Sequence, residues 1–421
     1  MRKILFIILS PFLFVKSFAA PGLDDLIKAA VDKHPLAAQL ELKAKISELK
    51  MSNIEAAYKP DLSLGASAQY QSDVTKIDIN LPFPNFKLPV PEKDQYKVAL
   101  NANQLLWDGG TVSALKRAEM LSLVSEQNSA QAEIYKVRER VASLYFNGLK
   151  LEKRITALDL TLADLNAKLD NVKSAVRNGA VAEFNQLQLE AEIIKVNQSL
   201  IELQASRRFL LASLEALTGD RIVESDTLAV PGIDFNPETL RRDLRPEIVA
   251  LKSASQYVKA AGDVSETKLM PKIGAFLQAG YGKPALNMFS NKFEPFYIVG
   301  VRANWSFLNW GVSAREKEIA EVQSQNFEVQ SKEILRNLEI GQTQYITEID
   351  KLDSLLETDR KLIALRKDIL KATASRLFNG TITAAEYVSD LNLKIQAETA
   401  RDAHEIERVQ NLYMLKVLWN N

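Results

Sequence analysis

Ile134–Val176, IYKVRERVASLYFNGLKLEKRITALDLTLADLNAKLDNVKSAV, decides the fold. Within it Ile134, Val137, Val141, Leu144, Gly148, Leu151, Ile155, Leu158, Leu162, Leu165, Leu169, Val172 and Val176 step by alternating threes and fours, and only Gly148 departs from the apolar set. That spacing puts every one of them on a single seam, and a seam sustained so long reads as coiled coil. The helix it implies runs from Thr111 to Val176 and, at 1.5 Å per residue, is roughly 100 Å long, which no compact domain of this chain contains. It is entered through Leu106-Trp107-Asp108-Gly109-Gly110 and broken at Arg177-Asn178-Gly179, where Gly179 can take the left-handed conformation that ends a helix. A return helix over 182–217 carries Leu189, Ile193, Val196, Leu200, Leu203, Arg207, Leu210, Leu214 and Leu217 at the same spacing, with Arg207 the exception. Long helix, Gly turn and shorter helix make an antiparallel coiled-coil hairpin.

The pattern is written twice. Ala57-Tyr58-Lys59-Pro60-Asp61 is echoed by Lys268-Leu269-Met270-Pro271-Lys272, and His34-Pro35 by Arg245-Pro246, at an offset of 211. Leu106 to Gly110 is echoed by Phe307-Leu308-Asn309-Trp310-Gly311, Arg177-Asn178-Gly179 by Phe378-Asn379-Gly380, and Leu217-Thr218-Gly219 by Leu418-Trp419-Asn420, at 201. The drop of ten between the two offsets is explained by a longer hairpin loop in the first copy, where length is easily tolerated. The division is a leader over 1–19, a first repeat over 20–219, a linker over 220–236 containing Pro231 and Gly232, and a second repeat over 237–421. The second repeat predicts a long helix over 312–377 and a return helix over 384–418.

Each repeat opens with a helix, Leu23 to Ala57 and Pro237 to Lys268, and then turns to strands. About 61–72, 95–107, 272–282 and 296–308 alternate with period two. Leu62, Leu64, Ala66, Ala68 and Tyr70 share one face, as do Tyr96, Val98, Leu100, Ala102, Gln104 and Leu106, then Ile273, Ala275, Leu277, Ala279 and Tyr281, then Tyr297, Val299, Val301, Ala303, Trp305 and Phe307. Each strand has about the ten residues that cross a bilayer at a tilt. The loop from Ser72 to Asp94, with Pro82, Pro84, Pro89, Pro91, Phe83 and Phe86, is irregular, as surface loops of barrels are.

The chain of 421 residues balances 53 Lys and Arg against 53 Asp and Glu, so no basic excess points to nucleic acid. Arg2 and Lys3, the apolar Ile4 to Val15 and the small-x-small Ser17-Phe18-Ala19 form a secretory signal. A membrane anchor helix competes with that reading, but the apolar run is short and Lys16 interrupts it. Cysteine is absent, and His34 and His404 are the whole histidine complement, which argues against zinc or copper. No later apolar run could form a transmembrane helix, so membrane insertion would have to use strands. No Gly-rich phosphate loop, nucleophile motif or histidine cluster appears, so neither an enzyme nor a bound cofactor is expected. Four amphipathic strands cannot close a barrel, since the smallest membrane barrels use about eight; three chains would supply about 12 and abolish the edges.

The duplicated order of helix, strand, strand, long helix and return helix resembles the TolC-like outer-membrane efflux proteins. The Pro before each first strand, the Leu106 to Gly110 junction and the Asn-Gly turns add to the resemblance. It covers nearly the whole mature chain and implies a mostly helical fold with a membrane β-barrel part, barrel and helical tunnel both closed by trimerisation. It also implies an outer-membrane location in a Gram-negative bacterium, contact with outer-membrane lipid, and export of small molecules or proteins from an inner-membrane transporter across the periplasm. Type I protein secretion is the variant of that route, and a periplasmic structural coiled-coil protein is the reading from a different class. The resemblance assigns contact with a periplasmic adaptor to Arg177, Asn178, Gly179, Ala180 and Val181 and to Phe378, Asn379, Gly380, Thr381, Ile382 and Thr383. Glu386 matches an acidic position lining the periplasmic aperture; a second acidic position is Ser389 here, with Asp390 adjacent. Glu386 also reads as a solvated helix charge, the common fate of Glu. The strand–helix junctions comprise Trp107, Asp108, Gly109 and Gly110, then Asn309, Trp310 and Gly311. Trp107, Trp305 and Trp310 fit an interfacial aromatic belt and core packing equally well.

Overall fold

A computed structural model describes residues 22–75, 90–223, 227–233 and 245–419. The leader, Pro237 and the Pro-rich centre of the first hairpin loop, with Pro82, Phe83, Pro84, Phe86 and Pro89, lie outside the described residues.

The order is α1 Leu23–Asp32, α2 Pro35–Glu55, β1 Asp61–Tyr70, β2 Asp94–Trp107, α3 Thr111–Arg177, α4 Glu183–Thr218, α5 Pro246–Glu266, β3 Lys272–Lys283, β4 Glu294–Asn304, α6 Val312–Phe378 and α7 Ala384–Leu418. A 3₁₀ turn, Ala56–Tyr58 or Thr267–Leu269, precedes the first strand of each pair. The opening helix expected over Leu23 to Ala57 is two helices, because Pro35 has no N–H to continue the first. His34 accepts the Leu36 amide on Nδ1 at 3.2 Å and so caps the restart. The last strand also ends earlier than expected. Its partner begins at Lys272, just after Pro271, and Lys272 faces Asn304, so Trp305 to Leu308 have no strand partner among the described residues.

The chain forms two compact units, each built from both repeats. One takes residues 1–38, 131–245 and 335–421. Its first core cluster gathers Leu26 and Ala30 of α1, Val141, Tyr145 and Phe146 of α3, Leu214 of α4 and Tyr413 of α7. A second gathers Leu165 of α3, Leu189 and Leu200 of α4, Leu377 of α6, and Tyr387 and Leu391 of α7. Burying each such leucine contributes about 1.5–3 kcal/mol.

The two exceptions in the seams have local reasons. A Cβ on Gly148 would sit 2.6 Å from Leu228 Cδ1 and 3.1 Å from Leu210 Cδ2, so the glycine makes room for the linker to pack on α3. Arg207 donates to Glu152 Oε1 at 2.8 Å while Glu152 Oε2 accepts the Leu228 amide, so the charge in the seam is paired and pins the same linker.

The other unit, residues 39–130 and 246–334, holds the sheet. It is antiparallel throughout, in the order β1-β2-β3-β4. The β1–β2 and β3–β4 registers are copies of each other under the sequence offsets: Asp61 faces Asn103 as Lys272 faces Asn304. No described helix is long and apolar enough to cross a membrane.

Candidate functional site

Alternation along the strands, combined with the register, gives the sheet two unlike faces. Leu64, Leu100, Ala279 and Tyr297 form one row, and Leu62, Ala102, Leu277 and Val299 the next on the same face. These apolar residues are the exposed ones: Leu64 is 75%, Tyr297 72% and Val299 68% accessible. The opposite face carries Ser63, Asn101, Gln278 and Ile298 in one row, with Lys97 donating to Gln278 Oε1 at 3.0 Å and Gln278 to Asn101 Oδ1 at 2.7 Å. Phe296 at 8% and Ala99 at 4% are buried on that face, while Ser63 and Ile298 are exposed. A sheet in water keeps its apolar face covered; here that face is open. β1 and β4 are the ends of the sheet, and each has one edge without a strand partner among the described residues.

At the first junction Asp108 is buried. Its Oδ1 accepts from the Tyr58 hydroxyl at 2.8 Å and the Gly110 amide at 2.9 Å, and its Oδ2 from the Val112 amide at 2.5 Å. It therefore caps the start of α3, satisfying amides that a helix start leaves without intrahelical acceptors. Burial works to raise its pKa, but the hydrogen bonds from Val112, Tyr58 and Gly110 outweigh it and hold the carboxyl below the usual carboxylate range. The same hydrogen bond raises the Tyr58 pKa, reinforced by burial and the Asp108 charge. Gly109 and Gly110 have φ of +70° and +88°, and a Cβ on Gly109 would lie 2.3 Å from Met270 Cβ.

At the second junction Asn309 donates to Ser313 Oγ at 2.7 Å, and Ser313 Oγ donates to the Ser265 carbonyl at 2.7 Å. Trp310 holds φ +54° and Gly311 +74°. Trp107, Trp305 and Trp310 all lie on the surface of the chain, at 43%, 63% and 80% exposure. Trp305 Nε1 donates to the Leu269 carbonyl at 2.9 Å.

The two helical turns repeat one geometry. Ala180 N–H reaches the Ala175 carbonyl and Gly179 N–H that of Val176; Thr381 reaches Arg376 and Gly380 reaches Leu377 in the same way. These are paired closures of the Schellman kind, with Gly179 and Gly380 at φ +71° and +68°. The structure brings the turns together. Ala384 N–H donates to Asn185 Oδ1 at 2.7 Å, and a Cβ on Gly380 would lie 3.6 Å from the Ala180 carbonyl oxygen. Ile382 is buried between the helices, whereas Arg177, Asn178, Asn379, Thr381 and Thr383 are exposed and Phe378 is 79% accessible. A groove of about 330 Å³ lies beside the turns, lined by Lys168, Asn178, Ala180, Val181, Leu377 and Phe378.

Glu386 sits in the first turn of α7, its N–H donating to Thr383 Oγ1 and its Oε1 accepting from that hydroxyl, both at 3.3 Å. This Thr-x-x-Glu arrangement has the spacing of a capping box, with the Glu386 carboxylate on the Thr383 hydroxyl and not on its backbone N–H. Ser389 is exposed and Asp390 half-buried on the same helix. One pair here is not legible from sequence. Tyr387, 1% exposed, donates to Asp164 Oδ2 at 2.5 Å and joins α7 to α3. Burial, then the Asp164 hydrogen bond and charge, push the Tyr387 pKa well up. Only the aromatic on the buried face of α7 hints at it. No group of three or more residues suited to holding a metal ion occurs among the described residues.

Long paired helices and a four-stranded antiparallel sheet with an open apolar face make the fold shared with solved outer-membrane channels. Residues 27–220, a little under half of the chain, match the sequence profile of the family described as Outer membrane efflux protein. Proteins of that family are channels and not enzymes. Among solved structures, the outer membrane protein VceC of Vibrio cholerae is 16% identical with a TM-score of 0.68, covering 94% of this chain and 95% of that one. The open-state MtrE outer membrane channel of Neisseria gonorrhoeae is 18% identical at 0.68, covering 95% and 89%. A membrane protein from Pseudomonas aeruginosa is 16% identical at 0.71, covering 96% and 91%. No curated protein sequence matches the chain.

Proposed function

We propose that three copies of this chain close a barrel of about 12 strands in the outer membrane of a Gram-negative bacterium, with the helices continuing the passage into the periplasm. The observation that carries this reading is the sheet: its exposed face is the apolar one, and both its edges are open among the described residues. Lipid covers such a face at no desolvation cost, and a neighbouring chain's strand satisfies each edge. The duct exports small molecules or proteins delivered by an inner-membrane transporter, which supplies the energy. A periplasmic adaptor docks at the two turns, a reading supported by their side-by-side placement and by the exposed Phe378. Glu386, with Ser389 and Asp390 beside it, lines the periplasmic aperture, where three carboxylates close together attract cations.

The test is membrane fractionation of the expressed protein followed by its mass in mild detergent. A trimer in the outer-membrane fraction is the expected result, and a soluble monomer overturns the duct. For the aperture, Glu386→Gln removes the charge while keeping an amide oxygen able to accept from the Thr383 hydroxyl. Reduced cation preference in the reconstituted channel is expected, and unchanged selectivity removes Glu386 from the aperture.

A further inference from the structure

The polar face of the sheet carries two cations held by the same device, the half-buried Lys97 and the exposed Arg302. Lys97 Nζ lies 4.7 Å from the centroid of the Phe296 ring, and the Arg302 guanidinium 4.9 Å from that of Phe276. Each ring in turn lies over a glycine on the neighbouring strand. A Cβ on Gly280 would meet Phe296 Cζ at 2.8 Å, and one on Gly300 would meet Phe276 Cζ at 2.8 Å. Glycine seats the ring, and the ring seats the cation by cation–π attraction. Neither cation is ion-paired among the described residues; Lys97 donates to the neutral Gln278 amide oxygen. Lys97 and Arg302 thus leave positive charge on one face of the sheet within reach of an anionic ligand, with Glu294 the acidic residue in the Lys97 row, two strands away through Gly282.

The register says where they fall relative to one another in a closed barrel. Because the β1–β2 and β3–β4 registers are copies under the offsets of 211 and 201, the seam between chains is the copy of the observed β2–β3 seam. Carrying that register over sets Arg302 opposite Ser67 of the partner subunit. It also sets Val299 opposite Tyr70 of the partner subunit and Val301 opposite Ala68 of the partner subunit, so the apolar face stays continuous across the seam. Within a chain Ser67 faces Lys97. Arg302 and Lys97 of the partner subunit therefore stand in one row, two strands or about 10 Å apart.

We propose that the barrel's inner wall carries a ring of six cations, Lys97 and Arg302 from each of three chains, that binds polyanionic solutes and favours anions in transit. The inference rests on the trimeric barrel proposed above. Its chemistry is that of phosphate, sulfate or carboxylate groups, which reach two cations at once when about 10 Å apart along a flexible anion. Rings of Lys and Arg serve this purpose in anion pores. The ring is distinct from the aperture proposed above at Glu386, which acts on cations.

The test uses the full trimer, its mass confirmed in detergent, in planar bilayers with tripolyphosphate added on the barrel side. Wild type shows block of the current, Lys97→Arg with Arg302→Lys keeps it, and Lys97→Gln with Arg302→Gln weakens it about tenfold. The Gln pair also moves the reversal potential in a KCl gradient toward the cation limit. A trimer with no block in wild type, or equal block in the Gln pair, overturns the ring and leaves the barrel standing. A monomer overturns the barrel and the ring together.

Discussion

The two strand-to-helix junctions occupy the same place in the repeat and are held by different chemistry. At the first, one buried carboxylate, Asp108, gathers two backbone amides and a tyrosine hydroxyl, and two glycines carry the backbone through positive φ. At the second the equivalent residue is the neutral Asn309, which reaches only a serine hydroxyl, and the first of the two positive-φ positions is filled by Trp310. The repeat thus keeps a backbone path more strictly than the side chains that secure it. The charged solution is the stronger and the more sensitive to pH; the neutral one is weaker and carries strain.

The comparison breaks most sharply at the glycines. Gly109→Ala places a methyl 2.3 Å from Met270 Cβ, an atom fixed to the backbone, in a left-handed conformation. Overpacking and backbone strain together cost about 3–4 kcal/mol. At Gly311 the nearest atom is the mobile end of Arg315, 3.2 Å away, so the same change costs about 1 kcal/mol. Denaturation of the detergent-solubilised protein, followed by circular dichroism, should give midpoints in that order; equal losses would mean that Met270 yields.

Next come the caps. Asp108→Ala leaves the Val112 and Gly110 amides and the Tyr58 hydroxyl without their acceptor, a loss of about 2–3 kcal/mol for hydrogen bonds to a charged group. Asn309→Ala removes one neutral bond and costs about 1 kcal/mol. A smaller effect follows from the depressed pKa of Asp108. Its contribution is fully present above the unfolded-state value near 3.8 and is lost as pH falls through the lower folded value. Wild type should therefore lose more stability than Asp108→Asn as pH falls below about 4. Parallel curves would show that the carboxylate is not the titrating cap.

How much of this is legible in the chain itself follows from what local sequence encodes. The three-four spacing of Ile134 to Val176 and the period-two strands are statements about one element each, and they locate α3 and the sheet faces. The repeat offsets go further, since they ask the two hairpins to share one register, and Asp61 faces Asn103 as Lys272 faces Asn304. The Tyr387–Asp164 bond is not legible, because it joins residues far apart in sequence through a packing of α7 on α3 that no periodicity states. Gly148 and Arg207 stand out as faults in their seams for the same reason. Each answers to Leu228 in the linker, whose position only the folded chain gives. The break at His34 is legible in principle, since Pro35 stands in plain sight within an otherwise continuous helical pattern.

The smallest effect separates strain from function at the second junction. Trp310 holds φ +54° with its side chain 80% exposed, so the chain gains little from packing the indole while the backbone bears the left-handed conformation. For a bulky residue that conformation costs about 1–2 kcal/mol, and glycine removes most of the cost. The greater freedom of a glycine in the unfolded chain offsets part of that gain, so Trp310→Gly should raise the stability of the protein in detergent by about 0.5–1 kcal/mol. In a bilayer the sign should reverse if the indole anchors the barrel at the lipid interface, where Trp is favoured. Stabilisation in detergent together with weaker retention in liposomes would assign Trp310 to the aromatic belt. Stabilisation in both would leave it a strained residue without an anchoring role.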